Sequence, residues 1–118
     1  MITIYHNPRC SKSRDALTLV QQFADTNHLS LDIVDYQKTP LTLEQLSTLA
    51  QQLDAPVREM VRNNEEEYTE LDLDKANDTA LLEAIARHPK LLQRAIVVYR
   101  HRAVIARPPE RVHDLLQG

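Results

Sequence analysis

The chain has 118 residues, a net charge of -3 and an apolar fraction of 42%, which is enough for one core and too little for two ordinary domains, so a single domain over 1–118 is expected. Charged residues of both signs make up 26%, a composition that excludes a disordered chain. An acidic balance excludes a general nucleic-acid binder, and no apolar run is long enough for a membrane span or follows a leader pattern, so the cytoplasm is the default compartment.

Ile2-Thr3-Ile4-Tyr5 predicts a strand that Asn7-Pro8 ends, because Pro8 has no N–H to give a ladder. Ala16, Leu17, Leu19, Val20, Phe23 and Ala24 follow helical spacing and predict a helix over 11–27, with Asn27 as its stop. Leu31 to Tyr36 reads as a second strand, completing a βαβ unit with parallel strands. Thr42 and Gln45 resemble a capping box at the head of a helix running to Leu53. Asp54-Ala55-Pro56 predicts another short helix, ending near Arg62-Asn63-Asn64. The run Glu65-Glu66-Glu67 reads as a solvated connector, and Asn77 or Asp78 caps a helix whose stripe of Leu81, Leu82 and Ile85 stops before Pro89. Ala95 to Tyr99 and Arg102 to Ala106 predict two strands around Arg100-His101, followed by a short helix from Pro109 to Leu116. The order β, α, β, three helical segments, β, β, α is an α/β thioredoxin-like layout: a mixed sheet with an all-helical insertion at about 40–92.

Glycine occurs once, as Gly118, which removes the phosphate-cradling loops of nucleotide sites. The histidines His6, His28, His88, His101 and His113 show no ligand spacing with one another or with Cys10, so neither a metal nor a bound cofactor is expected. Cys10 is the single cysteine and cannot close an internal disulfide.

Cys10 sits where the first strand's turn becomes a helix, so unpaired backbone N–H groups and the positive helix end favour a thiolate. Ser13, on the same helix face, is placed to donate a hydrogen bond to the sulfur. The alternative is a small buried hydrophobe. Its neighbours Asn7, Pro8, Arg9, Ser11, Lys12 and Ser13 are poor core residues and weigh against that. Ser13 also breaks the C-x-x-C dithiol pattern, and Ala16 breaks the C-x5-R anion loop, leaving a nucleophile that needs an external thiol.

A hairpin centred between Arg100 and His101 sets Tyr99 opposite Arg102, Ile96 opposite Ile105, and Arg94 opposite Arg107. Opposed like charges destabilise an antiparallel pair; either a shared anion or splaying into solvent accommodates these two. Arg62 is a third candidate, and by itself reads as a cation at a helix C-terminus.

Together these residues resemble the glutaredoxin-linked, ArsC-type arsenate reductase family, over essentially the whole chain. The family opening ITIYHNPxCxxSR stands here as ITIYHNPRCSKSR; its VRxxxRxN segment stands as Val57-Arg58 to Arg62-Asn63-Asn64, with Tyr68 after; its HPxLLxRPIVV and later arginine-proline stand as His88 to Val98 and Arg107-Pro108. The loop Cys10-Ser11-Lys12-Ser13 is similar to that of the YfgD-type branch. The resemblance implies a nucleophilic Cys10, an oxyanion site of Arg62, Arg94 and Arg107, arsenate or a similar oxyanion as substrate, glutathione as co-substrate and glutaredoxin as partner. His6 and Ser13 match positions beside the cysteine and are expected to tune the thiolate; for His6, holding the strand-to-helix turn is an equal reading. Two other functions stay open: an Spx-like regulator binding a protein partner, though Ser13 removes the second thiol of such redox sensors, and a glutathione-dependent reductase of another substrate. Where the family has a proline after the Arg94 position this chain has Ala95, and because a cis bond before a residue other than proline is costly, a trans bond is expected there.

Overall fold

The computed structural model describes residues 1–53 and 55–117. Four strands, β1 (Ile2–His6), β2 (Leu31–Asp35), β3 (Ile96–Tyr99) and β4 (Arg102–Ile105), form one mixed sheet in the order β2-β1-β3-β4. β1 pairs with β2 in parallel, Ile4 opposite Ile33 and His6 opposite Asp35, and with β3 antiparallel. The β3–β4 register is the expected one, Ile96 to Ile105 and Tyr99 to Arg102. The two-residue turn between them puts Arg100 and His101 at φ 53° and 64°. Both positions favour glycine, and the Arg100 guanidinium lies 5.1 Å from the Tyr99 ring centroid.

Strand residues alternate between two cores, as the two-residue period requires. Ile2, Ile4, Val97 and Tyr99 pack with Ala16, Val20 and Ala24 of α1 (Ser11–Thr26) and with Val112, Leu115 and Leu116. The last three residues lie on the closing helix, which is a 3-10 turn over Pro109–Arg111 leading into a helix at Val112–Gln117, rather than one α-helix from Pro109. On the other face Ile96 packs with Tyr36, Leu46, Leu49, Met60, Leu81, Ile85, Leu91 and Leu92, the apolar side of the helical insertion.

That insertion departs from the expected three helices. α2 (Leu43–Gln52) carries the full capping box: Thr42 Oγ accepts the Gln45 N–H and Gln45 Oε1 accepts the Thr42 N–H. The helix expected after Asp54 is a 3-10 turn over Val57–Met60; Asp54 itself lies outside the described residues. Arg62 therefore follows an extended Val61 and is not a helix C-terminal cation. The acidic run is not a connector: α3 (Glu66–Glu70) starts within it, Glu67 pairs with Lys90 at 2.6 Å, and Glu65 pairs with Arg62 at 3.4 Å. Carboxylates at a helix start complement its dipole, which is why this run folds. A second 3-10 turn at Leu73–Lys75 precedes α4 (Asp78–Arg87), whose cap is Asn77, accepting the Ala80 N–H. A third follows at Pro89–Leu91. No helix among the described residues is long and apolar enough to cross a membrane. With the closing helix as α5 (Val112–Gln117), the chain order is complete.

Candidate active site

Cys10 is the N-cap residue of α1, partly exposed, with extended backbone at φ -100° and ψ 123°. The loop before it is locked by short-range bonds. Asn7 Oδ1 accepts the Arg9 N–H at 3.0 Å, the Cys10 N–H reaches the Asn7 carbonyl at 3.0 Å, and the Arg14 guanidinium holds the Pro8 carbonyl at 2.9 Å. Asn7 is itself buried, its N–H donating to Ser13 Oγ at 3.0 Å. Such Asx geometry is what an Asn-Pro turn into a helix offers.

Ser13 is fully buried, and its hydroxyl meets His6 Nδ1 at 2.7 Å as well as Asn7. The side chain thus joins the end of β1 to the first turn of α1, and the expected hydroxyl-to-sulfur bond is not formed. The sulfur instead faces the backbone amides of Ser13 and Lys12, without closing a side-chain cap bond on the helix. Burial pushes the Cys10 thiol up. The Ser13 amide, the Arg94 guanidinium by contact and charge, and the Lys12 amide outweigh it and leave the pKa below its ordinary value. The deciding cation comes from the far end of the chain, while the side chains of Arg9, Lys12 and Arg14 stand exposed around the loop. Burial lowers the His6 pKa, opposed by Asp35 and the Ser13 contact, so the ring is neutral at neutral pH.

Two stitches deliver the arginines. Val61 bridges Leu92, the Arg62 N–H meets the Leu91 carbonyl at 2.7 Å, and the Gln93 N–H meets the Met60 carbonyl at 2.7 Å, which sets Arg62 beside Arg94. Ala106 N–H to the Ala95 carbonyl at 2.8 Å continues the β3–β4 ladder outward, and Arg107 Nη1 reaches the Arg94 carbonyl at 3.5 Å. Arg94 and Arg107 are brought together, as the hairpin register implies. Burial lowers the Arg62 pKa, and the Arg94 and Arg107 charges lower it further against the opposing pull of Glu65. Three guanidiniums are thus gathered against their mutual repulsion, and one of them, Arg94, meets the cysteine.

The Arg94–Ala95 bond is cis, which corrects the expected trans bond; Arg107–Pro108 is cis as well. Ala95 is completely buried against the α1 and α5 side, its carbonyl is held by Ala106 and the preceding Gln93 by Met60. The chain on both sides is pinned by contacts that neither residue's own preference predicts.

Sequence reasoning missed two residues here. Arg58 donates to the Tyr68 hydroxyl at 3.0 Å, the Leu73 carbonyl at 3.0 Å and the Ala76 carbonyl at 2.8 Å, tying the 3-10 turn before Arg62 to the segment around α3. Its place in the VRxxxRxN segment was the available signal. Tyr36 directly follows the second strand as a buried tyrosine whose hydroxyl has no acceptor, and only its being a tyrosine on a core-facing position could have marked it.

The ArsC family model matches residues 5–115. The chain belongs to the ArsC family. It is 42% identical to an arsenate reductase of Neisseria meningitidis serogroup A, covering 98% of this chain and 97% of that one. It is 39% identical to YfgD of Escherichia coli K12, covering 98% and 96%. Among solved structures it matches an arsenate reductase from Vibrio cholerae with a TM-score of 0.85 and 42% identity, covering 96% of this chain and 95% of that one. The mixed sheet with its all-helical insertion is the thioredoxin-like fold of this family. No group of three or more His, Cys, Asp or Glu among the described residues is placed to hold a metal ion.

Proposed function

We propose that this ArsC-family chain reduces arsenate to arsenite, with Cys10 as nucleophile, Arg62, Arg94 and Arg107 as the oxyanion site, and glutathione and glutaredoxin as the reducing partners. The observation that carries this reading is the meeting of Cys10, at the N-cap of α1, with the Arg94 guanidinium, which lowers the thiol's pKa. The Cys10 thiolate attacks arsenic and an arsenate oxygen leaves as water. Arsenic then takes two electrons from two glutathione thiols, which end as a disulfide with glutaredoxin carrying the exchange, and water displaces Cys10 from arsenic(III), releasing arsenite and the free thiol. One cysteine suffices because the second thiol is external. The arginines offset the anion's charge through paired N–H donors and hold the charge that develops on oxygen during attack.

His6 and Ser13 act at one remove. Their 2.7 Å contact holds the turn that aims the Ser13 amide at the sulfur, so they tune the thiolate by positioning and carry no proton in the reaction. A groove of about 310 Å³ lined by Glu59, Asn63, Gln93, Arg107 and Arg111 opens beside Arg107; its amides and cations suit the carboxylates, and Glu59 the ammonium, of a small peptide thiol such as glutathione.

The test is arsenite formation from arsenate, glutathione and glutaredoxin. Turnover that disappears with Cys10→Ser and on omission of glutathione is expected. No turnover by the wild type above the Cys10→Ser background would overturn the reading.

A further inference from the structure

Tyr36 is completely buried; the Arg94 guanidinium lies against its Oη without hydrogen-bond geometry, and its O–H has no acceptor. Such a group costs free energy that phenylalanine at the same place would not incur. Tyr36 belongs to the same core cluster as Met60 and Val61, which precede Arg62, and Leu92 and Ile96, which lie on either side of Arg94. Tyr36 directly follows β2, where Asp35 pairs with His6 at the end of β1 that runs on into the Cys10 loop. The phenol therefore stands at the rim of the parallel strand pair, under the two arginine-bearing segments.

Unsatisfied groups gather here, apart from Glu67 Oε1, on the carboxylate that pairs with Lys90. Among the described residues, the buried side-chain polar atoms without a hydrogen-bond partner include Tyr36 Oη, Arg62 Nε and Arg94 Nε. Arg62 Nε faces Glu65 Oε1 at 3.4 Å without hydrogen-bond geometry. Burial raises the Tyr36 pKa, contact with the Arg94 guanidinium and the Arg94 and Arg62 charges lower it, and the Cys10 charge raises it, with a net rise that keeps the phenol protonated. An arginine can only donate, so neither guanidinium can take the phenol proton. That proton is left for an acceptor lying between the arginines and the sulfur.

We propose that Tyr36 contacts the substrate: its O–H donates a hydrogen bond to an oxygen of the anion held by Arg62 and Arg94 in front of Cys10. This rests on the oxyanion site proposed above and adds to it a neutral donor. Such a donor gives the anion a directional contact without adding to the repulsion among three cations.

The test is calorimetric titration of the reduced full-length protein with arsenate and, separately, with inorganic sulfate. Tyr36→Phe keeps the ring and its packing and is expected to weaken both anions by about tenfold or more, with thermal stability equal to or above the wild type and the Cys10 thiol pKa unchanged. Wild-type affinity in Tyr36→Phe overturns the role of Tyr36 while leaving the arginine site intact. A raised thiol pKa with unchanged anion affinity also overturns it, by assigning the phenol to the sulfur. Absence of anion binding in the wild type overturns the oxyanion site and the role of Tyr36 together. Should Tyr36→Phe not fold, ring-carbon labelled tyrosine in the wild type decides: the Tyr36 Cζ resonance shifts on saturation with sulfate, and an unmoved resonance overturns the proposal.

Discussion

Replacing Arg58 by alanine removes a three-pronged tie: Nη1 to the Tyr68 hydroxyl and the Leu73 carbonyl at 3.0 Å each, and Nη2 to the Ala76 carbonyl at 2.8 Å. Hydrogen bonds from a charged donor contribute about 1.5–3 kcal/mol each when well shielded. Here the Leu73 contact is partly buried and the other two are exposed, so the sum is discounted to roughly 2–4 kcal/mol. That corresponds to a fall in Tm of about 10 °C for a chain of this size. Urea unfolding followed by circular dichroism measures it. Arg58→Lys, which lacks the fork that reaches both carbonyls, is expected to recover less than half of the loss. The consequence extends to the site, because the same 3-10 turn runs directly into Met60 and Arg62, whose bonds to Leu91 and Gln93 set Arg62 beside Arg94. Sulfate affinity of Arg58→Ala should therefore drop at temperatures where the protein is still folded. An unfolding free energy within about 0.5 kcal/mol of the wild type, the usual range for a surface substitution that touches nothing, together with unchanged sulfate affinity, would refute the clamp.

Arg94→Ala and Arg107→Ala are each expected to weaken arsenate or sulfate by about tenfold to a hundredfold; unchanged affinity in both would reject the hairpin arginines as an anion clamp. The Cys10 pKa is lowered in the folded protein, so the rate of alkylation by iodoacetamide should rise with pH through an inflection below that of the unfolded chain. The thiolate's contribution to stability is then fully present above that unfolded value and lost as pH falls through the lowered folded one. Arg94→Ala should move the inflection upward, and an inflection unmoved by this change would show that Arg94 does not act on the sulfur.

Local signals in the chain carried much of the architecture. Thr42 and Gln45 lie three residues apart and close their box within one helical turn, and Asn7-Pro8 ends a strand and starts a helix with bonds that span six residues at most. The hairpin register followed from a two-residue turn and put Arg94 near Arg107 without any knowledge of the rest. What could not be read depends on distant segments. Val57–Met60 is a 3-10 turn because its end is bonded to residues 91–93, about thirty positions on. Glu67 belongs to a helix and an ion pair because Lys90 arrives beside it. The Ser13 hydroxyl turned inward to His6, since β1 lies behind the first turn of α1, whereas helical spacing alone aimed it at the sulfur. The buried Tyr36 hydroxyl belongs to the same class, set by packing between the sheet and the insertion.

The central claim, that Cys10 forms a bond to an oxyanion's central atom within the arginine cluster, is tested most directly by a crystal of the reduced protein soaked in arsenate. The expected result is arsenic joined to Cys10 Sγ, with its oxygens facing Arg62, Arg94 and Arg107. Arsenate bound away from Cys10, or a free Cys10 at saturating arsenate, would contradict it.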